Sequence, residues 1–93
     1  MATTVAHHPE NQEFTVEQGG LSAELAYSRP ADGVIDFTHT FVDEGLRGQG
    51  VGAELARAAL AYAREQQLQV RTSCSFMRQF VADHAEYAPL LAQ

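Results

Sequence analysis

Lysine is absent from this 93-residue chain; six arginines face twelve acidic residues, for a net charge of −6. Such a balance excludes general nucleic-acid binding, which needs a basic face against the phosphates. It leaves room for a cationic or amine partner. One cysteine cannot build an internal disulfide framework. That cysteine and the four histidines show no ligand spacing for structural zinc, so no metal is expected. No apolar run approaches the ~20 residues that cross a bilayer. Met1 to Gln12 lacks the basic start and apolar stretch of a signal peptide. A reducing, cytoplasmic setting without membrane contact is the expectation.

What is present is the material of one modest domain over residues 1–93. The chain is 45% apolar, and a chain of this size buries roughly 60–65% of its unfolded surface. Residues 1–11 read as a loose lead-in. Gln12 to Gln18 alternates, with Phe14 and Val16 on one face. Gly19-Gly20 is a two-residue hairpin signal. Leu21, Ala23, Leu25 and Tyr27 then alternate against Ser22, Glu24, Ala26 and Ser28. Pro30-Ala31-Asp32-Gly33 reads as a second turn. A third strand is predicted from Val34 to Val42, with Ile35, Phe37, His39 and Phe41 on one face and Val34, Asp36, Thr38, Thr40 and Val42 on the other.

From Gly50 to about Gln67 the period becomes helical, with Val51, Leu55, Ala58, Ala59 and Tyr62 in one stripe. Leu68 to Thr72 is a short strand. A helix links it to the strand over 34–42, so the two should lie parallel in a right-handed crossover. Ser73 is the expected N-cap of a second helix over 74–84, with Phe76, Phe80 and Val81 inward. Tyr87 to Leu91 is a turn with apolar anchors. The order is three antiparallel strands, a helix, a parallel strand and a helix: an α/β fold with a mixed sheet.

Between the third strand and the first helix stands Arg47-Gly48-Gln49-Gly50-Val51-Gly52. Glycine lets backbone approach a ligand and take positive φ. The helix that follows offers unpaired N–H groups and a partial positive charge. Together they form an anion site, usually for phosphate. The turn is neither a Walker loop, lacking Gly-Lys-Ser/Thr, nor the dinucleotide fingerprint, whose glycines are spaced differently. The plainer alternative is a glycine turn that only packs a helix on a sheet.

Arg47-x-x-Gly50-x-Gly52 resembles the pyrophosphate signature of the GNAT acetyltransferase superfamily. The chain is most similar to its small single-domain members, the CG-type (YjdJ-type) acetyltransferases. Four blocks carry the likeness in order: His39-Thr40, Arg47 to Gly52, Cys74-Ser75-Phe76 and His84-Ala85-Glu86-Tyr87. Thr72 and Ala85 depart from the pattern, standing where it has proline. The resemblance implies a GNAT-like fold and an N-acetyltransferase using acetyl-CoA, with coenzyme A as product and no metal. The diphosphate would lie on the backbone of Gly48, Gln49, Gly50, Val51 and Gly52, with Arg47 nearby. The pantetheine arm would pair with the backbone of Thr40, Phe41 and Val42. Arg78 would reach a phosphate, or be a solvated surface arginine.

A lone histidine on an apolar face is more often a core residue, and a lone cysteine a small buried hydrophobe. Cys74, however, falls at the start of a helix, whose field favours a thiolate. The resemblance implies that His39 and Cys74 are a catalytic pair, facing one another across the acetyl site. His39 would take the acceptor's proton. Cys74 would protonate the departing thiolate or carry the acyl group itself. The resemblance implies an amine acceptor: a protein lysine, an N-terminus or a small molecule. By comparison with that superfamily the chain is expected to lack the early helices that shape an acceptor pocket, which implies a groove that is open or completed by a second subunit, as monomer or homodimer. The alternatives are a CoA- or acyl-CoA-binding module without turnover, and a small interaction domain using its acidic surface.

Overall fold

Period-two alternation builds most of the molecule, and the computed structural model describes residues 4–92. In chain order it contains β1 (Ala6–His8), β2 (Glu13–Gln18), β3 (Leu21–Ala31), β4 (Val34–Val42), α1 (Val51–Glu65), β5 (Gln69–Thr72) and α2 (Ser75–Asp83). Short 3-10 turns span Glu44–Leu46 and Ala85–Leu90. The five strands form one sheet in sequence order. All neighbours are antiparallel except β4 and β5, which run parallel on either side of the α1 crossover. At the hairpin between β2 and β3, Gly19 and Gly20 have φ of 59° and 80°. Such a pair matches the twist of the flanking strands and costs glycine little.

Both helices lie on one face of the sheet. Phe14, Val16, Ala23, Leu25, Tyr27, Ile35 and Phe37 point into a single core cluster with Leu55, Ala59, Leu60 and Met77. Burying a side chain of this size stabilises the fold by about 1.5–3 kcal/mol. No helix of the described residues is long and apolar enough to cross a membrane.

Four local expectations are corrected. Within the expected loose lead-in, Ala6–His8 form a strand on β2, in register His7 with Phe14; residues 1–3 lie outside the described residues. The cause is His7. Its ring stacks on Phe14 at 4.2 Å, meets Tyr62 edge-on at 4.5 Å, and has Nε2 2.7 Å from the Tyr27 hydroxyl. Tyr27 and Tyr62 are distant in sequence, and Phe14 comes beside His7 only when β1 folds back on β2. Pro30 and Ala31 end β3 instead of turning; the reversal is at Asp32-Gly33, where Gly33 has φ of 76°. The buried stripe of α1 runs through Ala56, Leu60 and Ala63 as well as Val51, Leu55 and Ala59. In α2 Met77 is fully buried and Phe76 is exposed, while Cys74, not Ser73, is the N-cap residue.

A fifth correction matters most. Tyr27 pairs with Phe37 but Ala26 pairs with His39, so Thr38 is an extra residue in β4. A bulge of this kind re-aims the chain beyond it. Ile35 and Phe37 are buried as expected, but beyond the bulge His39 and Phe41 are exposed, and Thr40 and Val42 take the helix side.

Candidate active site at the open end of the central strands

The parallel ladder between β4 and β5 runs from Val34–Gln69 to Phe37–Thr72 and stops. Its last bond is from the Cys74 N–H to the Phe37 carbonyl, 2.9 Å. There the chain leaves the sheet and enters α2. Asp36 holds the departure point: its carboxylate accepts the Ser73 N–H at 3.2 Å and the Ser73 hydroxyl at 2.9 Å. β4 continues to Val42, paired with β3 alone. Its β5 side over residues 38–42 therefore has no strand partner among the described residues. A strand edge of that kind presents backbone groups to anything that can pair with them.

At the far end of this open stretch lies the glycine turn. Gly48 and Gly50 have φ of 81° and 78°, and a Cβ at either would meet nothing within 4 Å. Positive φ, rather than crowding, is what asks for glycine at both. Gly50 is the N-cap residue of α1, and no side chain caps that helix. A helix start without a side-chain cap leaves its first N–H groups for a ligand or water. Gly52 has a different reason. Its ideal Cβ would come 3.0 Å from Cζ of Phe76, so the missing side chain lets α2 close on α1.

A cleft of about 260 Å³ opens here, lined by Val42, Leu46, Arg47, Gly48, Gly50, Val51, Gly52, Ala53 and Phe76. Two side chains brace its rim. Arg47 Nε donates to the Val42 carbonyl at 3.1 Å, and Gln49 Nε2 donates to the Gly45 carbonyl at 2.9 Å. The cleft could thus take a diphosphate at one end, where three glycines, a helix start without a side-chain cap and one arginine meet beside apolar walls.

The expected site residues divide. Val42, Arg47, Gly48, Gly50, Val51 and Gly52 come together at the cleft. Gln49 is turned into the loop as a brace. Arg78 is not brought there; its Nη2 donates to the Thr72 carbonyl at 3.3 Å, in a second cleft of about 310 Å³ on the other side of α2. Phe41 stands 42% exposed on the uncovered side of the sheet.

His39 and Cys74 do not face one another. Cys74 is buried, and its Sγ lies 3.1 Å from Thr40 Oγ1, a contact in which either atom can donate. Neighbouring strand residues point to opposite faces, so the exposed His39 is on the other side of β4. The bulge at Thr38 is the cause; without it the alternation would carry His39 to the helix side. Thr40 and Val42 share that side, so a line runs from Cys74 past Thr40 and Val42 to the glycine cleft, with ~7 Å between alternate strand residues. Phe76, Leu46 and Ala53 are cleft residues that sequence reasoning missed. For Phe76 a signal existed: a large apolar residue two places after Cys74, within one of the four motif blocks.

Among the described residues no three histidine, cysteine or acidic side chains gather as a metal-ligand group. The chain is 32% identical over 82 residues to protein NATD1 of Bos taurus, covering 86% of this chain and 73% of that one. With protein NATD1 of Homo sapiens the identity is 30%, with 86% and 73% covered. The solution structure of a GCN5-like candidate N-acetyltransferase from Staphylococcus aureus superposes with a TM-score of 0.77 at 28% identity, covering 96% of this chain and 87% of that one. The same mixed α/β sheet is therefore shared by a GCN5-like protein, and residues 11–90 match a family-wide pattern. On that match, which takes in every element from β2 to α2, the chain belongs to the GCN5-related N-acetyl-transferase family of the CG type.

Proposed function

We propose that the protein transfers an acetyl group from acetyl-CoA to an amine, in the cytoplasm. One observation carries the reading: β4 parts from β5 at Phe37–Thr72 and runs on, unpaired on that side, to an uncapped glycine-rich helix start. That arrangement supports diphosphate held by the backbone of residues 48–52 with Arg47, and an amide-bearing arm along Thr40 to Val42, where hydrogen bonds are independent of side-chain identity.

Acetyl-CoA supplies an activated acyl thioester. The acceptor nitrogen forms the new C–N bond, the C–S bond breaks, and one proton passes from the amine to the thiolate side. His39 takes the amine proton on the open face. The Cys74 thiol gives a proton to the departing thiolate on the helix side, with the Thr40 hydroxyl at 3.1 Å fixing its orientation, and turnover is completed as His39 releases the amine proton to water and Cys74 takes one back from water. Because His39 and Cys74 occupy opposite sides of β4, direct transfer is favoured over a route in which His39 activates Cys74 to carry the acetyl group.

The test has two stages. Acetyl-CoA should raise the melting temperature, by the equivalent of about 2.7 kcal/mol at a hundredfold excess over its Kd. Transfer to an amine should then fall by about a hundredfold or more in His39→Ala, in line with loss of a general base, while acetyl-CoA binding is retained. If acetyl-CoA binds and neither His39→Ala nor Cys74→Ala changes the rate, the protein is a binding module and the catalytic assignment is wrong. Acetyl trapped on Cys74 in a kinetically competent intermediate would overturn direct transfer.

A further inference from the structure

The two faces of the sheet are unequal. Both helices and both 3-10 turns feed the single core cluster on one side. The other side, among the described residues, has no layer over it. In register, one row across it reads His8–Glu13–Ala26–His39 and the next reads Ala6–Thr15–Glu24–Phe41. Directly opposite residues of such rows sit about 4.5–5.5 Å apart and diagonal ones about 7–8 Å. Two carboxylates, two histidines and the exposed ring of Phe41 therefore share one patch, with His8 Nε2 2.9 Å from Thr15 Oγ1 at its β1 edge and the bulge turning His39 outward at its β4 edge. Neither carboxylate is neutralised by an ion pair; the one salt bridge among the described residues is Arg57–Glu54, on α1.

The geometry points to this uncovered face of β2, β3 and β4 as the docking surface for a basic segment of another protein, which presents the acceptor amine beside His39. The inference rests on the transferase reading and names its substrate class. Charge sets the sign of the partner: carboxylates and an exposed aromatic ring both attract ammonium and guanidinium groups. Shape argues for an extended chain over a small amine. Small ligands are held in concave pockets, and neither cleft described above draws a lining residue from this face. A flat surface must gather its affinity from several spaced contacts. A second copy of this chain fits poorly, since each brings a net charge of −6.

The experiment uses the full isotope-labelled chain, a short lysine–glycine peptide and its glutamate–glycine counterpart. The lysine peptide should shift amide resonances of Glu13, Thr15, Glu24, Ala26, His39 and Phe41, and the glutamate peptide should not. Raising the salt from roughly 0.05 to 0.3 M should weaken the binding, because exposed charges are screened within a few ångströms at high salt. The double variant Glu13→Gln/Glu24→Gln should weaken it by about threefold to tenfold. Its acetyl-CoA thermal shift and its transfer to a small amine should match the wild type. Equal peptide affinity in wild type and double variant, shifts confined to α1 and α2, no peptide binding in a protein that binds acetyl-CoA, or self-association through this face would each overturn the proposal. Peptide docking on the mapped face without any acetyl-CoA shift would instead overturn the transferase reading and leave the docking face standing.

Discussion

The first part of β4, Val34 to Phe37, is hydrogen-bonded to strands on both sides; the second, Thr38 to Val42, is paired on one. The sequence is equally strand-like throughout, yet the two parts do different work. Val34 to Phe37 holds the core, with Ile35 and Phe37 fully buried. Thr38 to Val42 is held by β3 and, among the described residues, has no strand on its other edge, where the Val42 carbonyl accepts from Arg47 Nε. The boundary between them is physical. One inserted residue, Thr38, twists the strand away, and Asp36, one residue before the last paired position, ties the β5–α2 turn down through Ser73. One strand can thus hold the core along half its length and leave an edge without a strand partner along the rest, if its pairing ends abruptly.

Variants on either side of Thr38 should separate the two roles. The largest effect is expected from Phe37→Ala, which empties a fully buried site and should cost about 3–5 kcal/mol in urea unfolding. If Thr40→Val, beyond the bulge, cost as much, the distinction would fail. Next comes deletion of Thr38. It keeps Phe37 and Thr40 inward and His39 outward, so the fold should survive by circular dichroism. The regularised strand should displace the site, and a misplacement near 1 Å can cost about a hundredfold in rate. Unchanged transfer would show that the bulge is not what opens the site. Gly50→Ala should lower stability by about 1–2 kcal/mol, because it forces a side chain into left-handed backbone; melting curves with and without acetyl-CoA would also show whether the ligand needs that turn.

The smallest effect lies far from β4, as a control. Burial lowers the His7 pKa below its ordinary 6.5, nearby Glu10 opposes this, and His8 adds to it. The folded state therefore resists protonation that the unfolded chain accepts. This contribution is present above pH 6.5 and is lost as the pH falls from there through the lowered folded value. A His7→Gln variant should lose that part of the acid sensitivity of its unfolding, with acetyl-CoA affinity at neutral pH unaltered.

Much of the site could be seen in the primary structure because it is local. The glycine turn, the helix behind it and the strand before it are consecutive, so Arg47, Gly48, Gly50, Val51 and Gly52 meet at one cleft with little help from the rest of the fold. Arg78 shows the converse. Its distance from the glycine turn depends on which way α2 rolls, and that is settled by Met77, Phe80 and Val81 finding the core. His7 likewise looked like a tail residue, because Phe14, Tyr27 and Tyr62 reach it only after β1 has paired.

The residues alone determined the order of the strands and helices from β2 to α2, the parallel crossover and the glycine turn before α1, since each follows from a hydrophobic period or from glycine's freedom over a few neighbouring positions. Tertiary structure decided which side of β4 His39 and Thr40 occupy, where β4 leaves β5, and which face of the sheet stays bare. A bulge exists only as a mismatch between two strands: Thr38 has no meaning as an extra residue until Ala26 and Tyr27 are beside it. The burial of distant partners, summed over the whole core, chose that register, and so placed the histidine and the cysteine on opposite sides.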